Sequence, residues 1–309
     1  MKNKLLSLAS LLAVFNVNAI EIGPTGSGAE LSGFVVLDYA SQGGDSGFTA
    51  SEVELDFDWS TGPVAFSLDF NVFGDDRQIN ANETDLEEAV VTYTINENLS
   101  VSAGRMLSYL GFEAYDAPNM YQITGAYVTK FGPLYDGYAD GVSVDYATDS
   151  FSIGIWSGLE EKSSFEYAFA FTGVENLTAK YIYADYGGSA ESKQSIWASY
   201  QLGKLLLAAE LAEHSNASVL PVGNPVSTPT EDEKGWLIMG NYSITDPLSL
   251  TLRYSNTDTS SATAADVQDV NKFTVSPTYM VTDELALLAE YSDIEDSDEF
   301  IGFELIYTF

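Results

Sequence analysis

The chain has 309 residues and a formal net charge of −34, with 12 basic against 46 acidic side chains, a balance that excludes nucleic acid as a natural partner. Its 45% hydrophobic and 13% aromatic content does not fit a disordered acidic chain. With no cysteine, neither a disulfide framework nor a thiolate metal site can form.

Residues 1–19 read as a secretory signal. Lys2 and Lys4 make a basic start, Leu5 to Phe15 is apolar, and Val17-Asn18-Ala19 offers small residues for cleavage. The mature domain is then 20–309, with 10 basic against 46 acidic residues and a net charge of −36. After the signal, no stretch approaches the roughly 18 uninterrupted apolar residues of a spanning helix.

Strict alternation dominates instead. From Glu52 to Trp59, Val53, Leu55, Phe57 and Trp59 share one face, and Glu52, Glu54, Asp56 and Asp58 the other. Val64 to Val72 repeats the pattern, as do the runs through Phe165, Leu248 and Ile301 to Phe309. In chain order the expected strands are 31–39, 52–59, 64–72, 87–95, 98–105, 140–147, 150–158, 165–172, 177–185, 194–202, 204–213, 235–243, 248–256, 271–280, 284–293 and 300–309, sixteen in all.

The connections alternate in length. Short ones, such as Ser60-Thr61-Gly62-Pro63, Asn96-Glu97 and the single Gly203, fall between longer ones at 73–86, 106–139, 214–234 and 257–270. Short periplasmic turns and longer extracellular loops mark an all-β transmembrane antiparallel barrel of the bacterial outer membrane. Both termini of an even-stranded barrel then lie on the periplasmic side. This topology puts Trp59, Tyr93, Tyr146, Tyr200, Tyr242, Tyr279 and Tyr307 near the periplasmic ends of the apolar face, and Tyr39, Phe165, Tyr183, Trp236, Tyr254 and Tyr291 near the outer ends. A soluble β-sandwich alternates as well, but it has no need of two aromatic girdles.

On the inward parity stand Glu52, Glu54, Asp56, Asp58, Asp69, Asp145, Glu166, Glu290 and Glu304, against Lys180 and Arg253 as clear inward cations. A narrow passage lined by one sign of charge gathers counter-ions, so cations are the expected preference. The longest connection, 106–139, is too long for an idle hairpin loop. It mixes aromatics with carboxylates in Gly111-Phe112-Glu113-Ala114-Tyr115-Asp116 and Tyr135-Asp136-Gly137, and Ala126 to Phe131 could be a further short strand or part of the loop.

Gly104-Arg105 at the end of the fifth strand, the long third external loop, the signal and the terminal Phe303-Glu304-Leu305-Ile306-Tyr307-Thr308-Phe309 together resemble the Gram-negative porins. Gly111-Phe112-Glu113 with Pro118-Asn119-Met120-Tyr121 resembles the OmpL-like β-barrel porins in particular. The resemblance implies a channel for small hydrophilic solutes and ions, a homotrimer among outer-membrane lipids, and a third loop folded into the barrel to narrow it. It adds Arg105, Glu113, Asp116 and Asp136 to the expected constriction, although strict alternation from Leu99, Val101 and Ala103 points Arg105 outward. A Pro-Glu-Phe-Gly-Gly-Asp loop signature and a full set of arginines opposite the loop are both missing.

No cofactor, metal or enzymatic activity is expected. The acidic run Asp293, Glu295, Asp296, Asp298 and Glu299 lacks the spacing of a calcium loop and reads as solvated. Two other readings remain open: a loop-closed barrel acting as a surface receptor or adhesin, and an outer-membrane hydrolase built on His214, placed at the start of an external loop.

Overall fold

The structure is a computed structural model that describes residues 19–73, 85–130, 133–159, 164–187, 191–218, 230–261 and 268–309. The signal expected at 1–19 lies, apart from Ala19, outside the described residues, as do parts of the loops expected at 73–86, 214–234 and 257–270.

The strands are β1 (Ile20–Glu21), β2 (Ala29–Gln42), β3 (Asp45–Thr61), β4 (Val64–Phe73), β5 (Asp85–Asn96), β6 (Leu99–Leu107), β7 (Tyr138–Ala147), β8 (Phe151–Gly158) and β9 (Phe165–Phe171). They continue with β10 (Leu177–Asp185), β11 (Ser192–Leu202), β12 (Leu205–Ser218), β13 (Thr230–Ser243), β14 (Leu248–Ser261), β15 (Gln268–Met280), β16 (Leu285–Ile294) and β17 (Phe300–Thr308). Each of β2 to β17 pairs antiparallel with its sequence neighbours, and β17 closes on β2 through registers such as Phe303↔Tyr39 and Thr308↔Phe34. The sixteen expected strands are the sixteen strands of this closed barrel. The added two-residue β1 folds back on β2, pairing Ile20 with Leu31.

Closure satisfies the backbone of every strand without leaving an edge, which is what lets a sheet stand in lipid. The alternation then sorts side chains by solvent. In β9, Phe165, Tyr167, Phe169 and Phe171 point outward while Glu166, Ala168 and Ala170 are buried in the lumen. All seven expected periplasmic girdle aromatics are exposed on the outer surface, as are Tyr39, Phe165, Tyr254 and Tyr291 of the outer girdle.

Two departures have local causes. The first external connection shrinks to Gly43-Gly44, both at positive φ, because β2 and β3 run on past the apolar band. His214, expected in a loop, lies within β12, paired with Lys193 and Glu233 and facing the lumen, because hydrogen bonding to β11 and β13 carries the strand beyond its apolar pattern.

At Gly104 the chain has φ +136°, and a Cβ there would sit 2.0 Å from the Ala89 carbonyl oxygen on β5. The close approach needs glycine on both counts. Gly104→Ala is therefore expected to cost about 1–3 kcal/mol from backbone strain alone. Urea titration of the folded barrel in detergent checks it, a midpoint equal to wild type being the contrary result.

Candidate functional site

Loop 108–137 leaves β6 and turns into the barrel. Tyr109, Leu110 and Phe112 are buried against Trp156, Ile182, Trp197, Leu237 and Met239, with the Phe112 ring edge-on to Trp197 at 5.5 Å. Those wall residues occupy inward positions that a water-filled lumen would keep polar. The loop supplies their apolar partner, and burying each large side chain contributes about 1.5–3 kcal/mol toward ordering it. Among the described residues of the loop, one 3-10 turn, Ala117–Asn119, interrupts the irregular backbone, and 126–130 forms no strand. Ala117 and Ile123 pack on a second inward apolar cluster of Phe34, Val36, Ala286, Leu288 and Ile306.

A loop inside a barrel must find acceptors for its backbone N–H groups. Wall carboxylates provide them. Glu166 accepts from Tyr109 N at 2.9 Å, Glu290 from Ile123 N at 2.7 Å and Thr124 N at 2.9 Å, and Glu233 from Lys130 N at 2.6 Å. Asp145 accepts the Tyr109 hydroxyl at 2.8 Å, and Glu210 accepts those of Tyr127 and Tyr135.

The inward cations hold the loop from the same side. Arg253, 1% exposed, forms an ion pair with Glu113 and donates to the Thr124 carbonyl at 2.8 Å and the Gly125 carbonyl at 3.1 Å. Glu113 also accepts Gln122 Nε2 and Ala126 N, each at 2.7 Å. Lys272 donates to Thr124 and Gly125, and Lys193 pairs with Asp136, which also accepts the Tyr186 hydroxyl. Lys180 lies buried with its Nζ 5.7 Å from the Trp197 ring centroid.

The expected constriction residues therefore divide. Glu113, Asp136, Asp145, Glu166 and Arg253 are engaged in docking the loop against β7–β16. Arg105, near the end of β6, donates its Nε to the Leu86 carbonyl at 2.9 Å, and its charge acts on Tyr115 of the loop.

Glu52, Glu54, Asp56, Asp58 and Asp69 assemble on the opposite wall. Registers there stack like charges: Asp56 faces Asp69, and Asp69 faces Glu88. A bulge beside Phe70 leaves Glu87 without an opposite residue between Glu88 and Leu86, and Asn71 Nδ2 reaches both Glu52 at 3.5 Å and Glu87 at 3.3 Å. No Lys or Arg occurs in β2–β5.

Asp116, from the loop, meets this wall, one of its oxygens lying within 4.8 Å of Glu52 and Glu54. Burial, then repulsion from Glu87 and Asp56, pushes Asp116 up to about 7. Its protonated form is thus the one docking favours. That contribution is complete below the ordinary value of 3.8 and is lost as pH rises through about 7.

Parity alone could have found Asp38, Glu88, Glu210 and Lys272, which lie in weakly alternating stretches of expected strands. Lys193 fell one residue outside its expected strand, and Glu87 needed the bulge. His214 has Glu191 Oε1 2.9 Å from its Nε2, where a hydrolase would require its nucleophile.

A closed sixteen-stranded antiparallel barrel with its third long loop folded inside has the architecture of outer-membrane porins. The chain belongs to the family described as putative beta-barrel porin-2, OmpL-like, whose profile matches residues 33–305. Among solved structures it is similar to OmpT of Vibrio cholerae (15% identity, TM-score 0.71, covering 94% of this chain and 100% of that one). It is similar also to Salmonella typhi OmpF in complex with daunomycin (16%, TM-score 0.71, 94% and 100%) and to the anion-selective porin from Comamonas acidovorans (14%, TM-score 0.65, 91% and 99%). No curated protein sequence matches. Membership in this family places the chain among outer-membrane barrels.

Proposed function

We propose that the protein is a passive diffusion channel for small hydrophilic solutes that prefers cations, its passage running between the docked loop and the wall of β2–β5. The observation that carries this reading is the charge division. The inward cations Arg253, Lys193 and Lys272 lie against the loop, while Glu52, Glu54, Asp56, Asp58, Asp69, Glu87 and Glu88 stand on β3–β5, strands that contain no Lys or Arg. Fixed carboxylates in a narrow aqueous passage concentrate cations and repel anions. Diffusion requires no covalent chemistry and no cofactor.

The test is reconstitution of the full chain in planar bilayers. Stepwise conductance is expected, with a reversal potential under a KCl gradient on the potassium side of zero. Absence of steps in repeated reconstitutions would favour the loop-closed receptor reading, and a chloride preference would contradict the acidic wall. Homotrimeric assembly and removal of residues 1–19 belong to the same proposal; sedimentation in detergent and the N-terminal sequence of protein extracted from membranes check them.

Asp116 adds a pH dependence. Lowering the pH from about 8 to about 6 in the presence of EDTA is expected to reduce cation preference as this carboxylate protonates. Asp116→Asn should start from the lower preference and respond less. Parallel pH profiles for the two proteins would remove Asp116 from the constriction.

A further inference from the structure

We propose that Glu52, Glu54 and Asp116 form a binding site for a hard divalent cation of the Ca²⁺ type that ties the loop to β3. One oxygen from each carboxylate lies within 4.8 Å of the other two. Oxygens sharing one Ca²⁺ at 2.3–2.6 Å can be at most about 4.6–5.2 Å apart, whereas the shorter bonds of Mg²⁺ limit them to about 4.0–4.2 Å. The cluster thus accommodates Ca²⁺ as it stands.

A second observation points to a ligand. Glu54 is 4% exposed, and its Oε2 finds no N–H or hydroxyl donor among the described residues, the side chains beside it, Asp56 and Glu87, being carboxyl groups themselves. Asp116 Oδ1, buried on the loop side, likewise has none. Buried carboxylate oxygens are ordinarily satisfied, by protein, water or a metal. Here the surrounding groups make the need greater, since Asp56 and Glu87 add negative charge and β2–β5 carry no Lys or Arg. Asn71, donating to Glu52 and Glu87, orients the outer edge of the cluster.

The site joins two elements far apart in the chain. An ion there would neutralise the repulsion between loop and wall at the point where they meet. The inference rests on the docked position of the loop and not on conduction, so binding and channel activity can succeed or fail separately.

The experiment uses the full chain, folded in detergent and freed of metal with EDTA, titrated calorimetrically with Ca²⁺. A site with Kd on the order of 10⁻⁴ M is expected, in the range of low-affinity extracellular calcium modules. Glu54→Gln and Asp116→Asn should each weaken it by about tenfold or more, while Asp296→Asn with Asp298→Asn, in the solvated outer run, should leave it in place. Identical isotherms for wild type and the two lumen variants, or no binding by wild type at millimolar Ca²⁺, would overturn the proposal. Tb³⁺ soaked into wild-type crystals gives a readout without any variant: an anomalous peak between the three carboxylates supports the site, and peaks confined to the surface refute it.

Discussion

Arg253→Ala is expected to release the lumen loop, with a loss of about 3–5 kcal/mol in its docking. The guanidinium is fully buried and Glu113 is 5% exposed, so truncating the arginine leaves a carboxylate with neither its ion-pair partner nor water around it. The loss extends to the Thr124 and Gly125 carbonyls, which accept from the same guanidinium. The apolar contacts of Phe112 and Leu110 and the bonds to Glu290 remain, so the barrel should persist while the loop samples undocked positions.

Limited proteolysis of the folded barrel should then cut within 108–137, and single-channel records should become larger or noisier. Glu113→Gln should be milder, because the amide oxygen can still accept from Arg253 and Gln122, the loss being confined to the Ala126 N–H, which then faces an amide NH2, and to the charge of the pair. A variant Arg253→Ala with wild-type protease resistance and conductance would show that the loop is held without this pair.

The second large effect is expected on selectivity. Asp69 and Glu88 face one another across β4 and β5, with Asp56 on the far side of Asp69. Replacing both by lysine places two cations in the row and should lower the potassium-to-chloride permeability ratio by on the order of tenfold or invert it. The two lysines repel across β4 and β5 as the two carboxylates do, while the one at 69 gains an opposite charge in Asp56, so the substitution should not weaken the barrel. Glu97→Lys with Glu175→Lys makes the same change of charge in periplasmic turns, where both side chains are exposed. An equal shift from that pair would assign selectivity to the overall field of the protein and not to the wall.

Much of the barrel was legible because each strand separates lipid from water locally. The run Ile301, Phe303, Leu305 and Tyr307 reads as outward without knowledge of its partners, and the structure places it so. Strand ends were harder. Beyond the apolar band both faces meet polar surroundings, so alternation fades while hydrogen bonding to neighbours continues, as at His214 and Lys193. The bulge at Glu87 escaped for a related reason: period two counts one residue per step, and an extra residue appears only when the partner strand is in register.

The candidate site divides along the same line. Composition and parity alone determined an acidic lumen wall at Glu52, Glu54, Asp56, Asp58 and Asp69, since side-chain direction in a strand is set by position. Only the tertiary structure decided which inward charges hold the loop and which face it across the lumen. Arg253 and Glu113 stand 140 residues apart, and Asp116 meets Glu54 from a loop with no regular period. The inward apolar residues Trp156, Ile182 and Trp197 carried a trace of that path, because a lumen has no reason to bury them unless the chain itself returns to cover them.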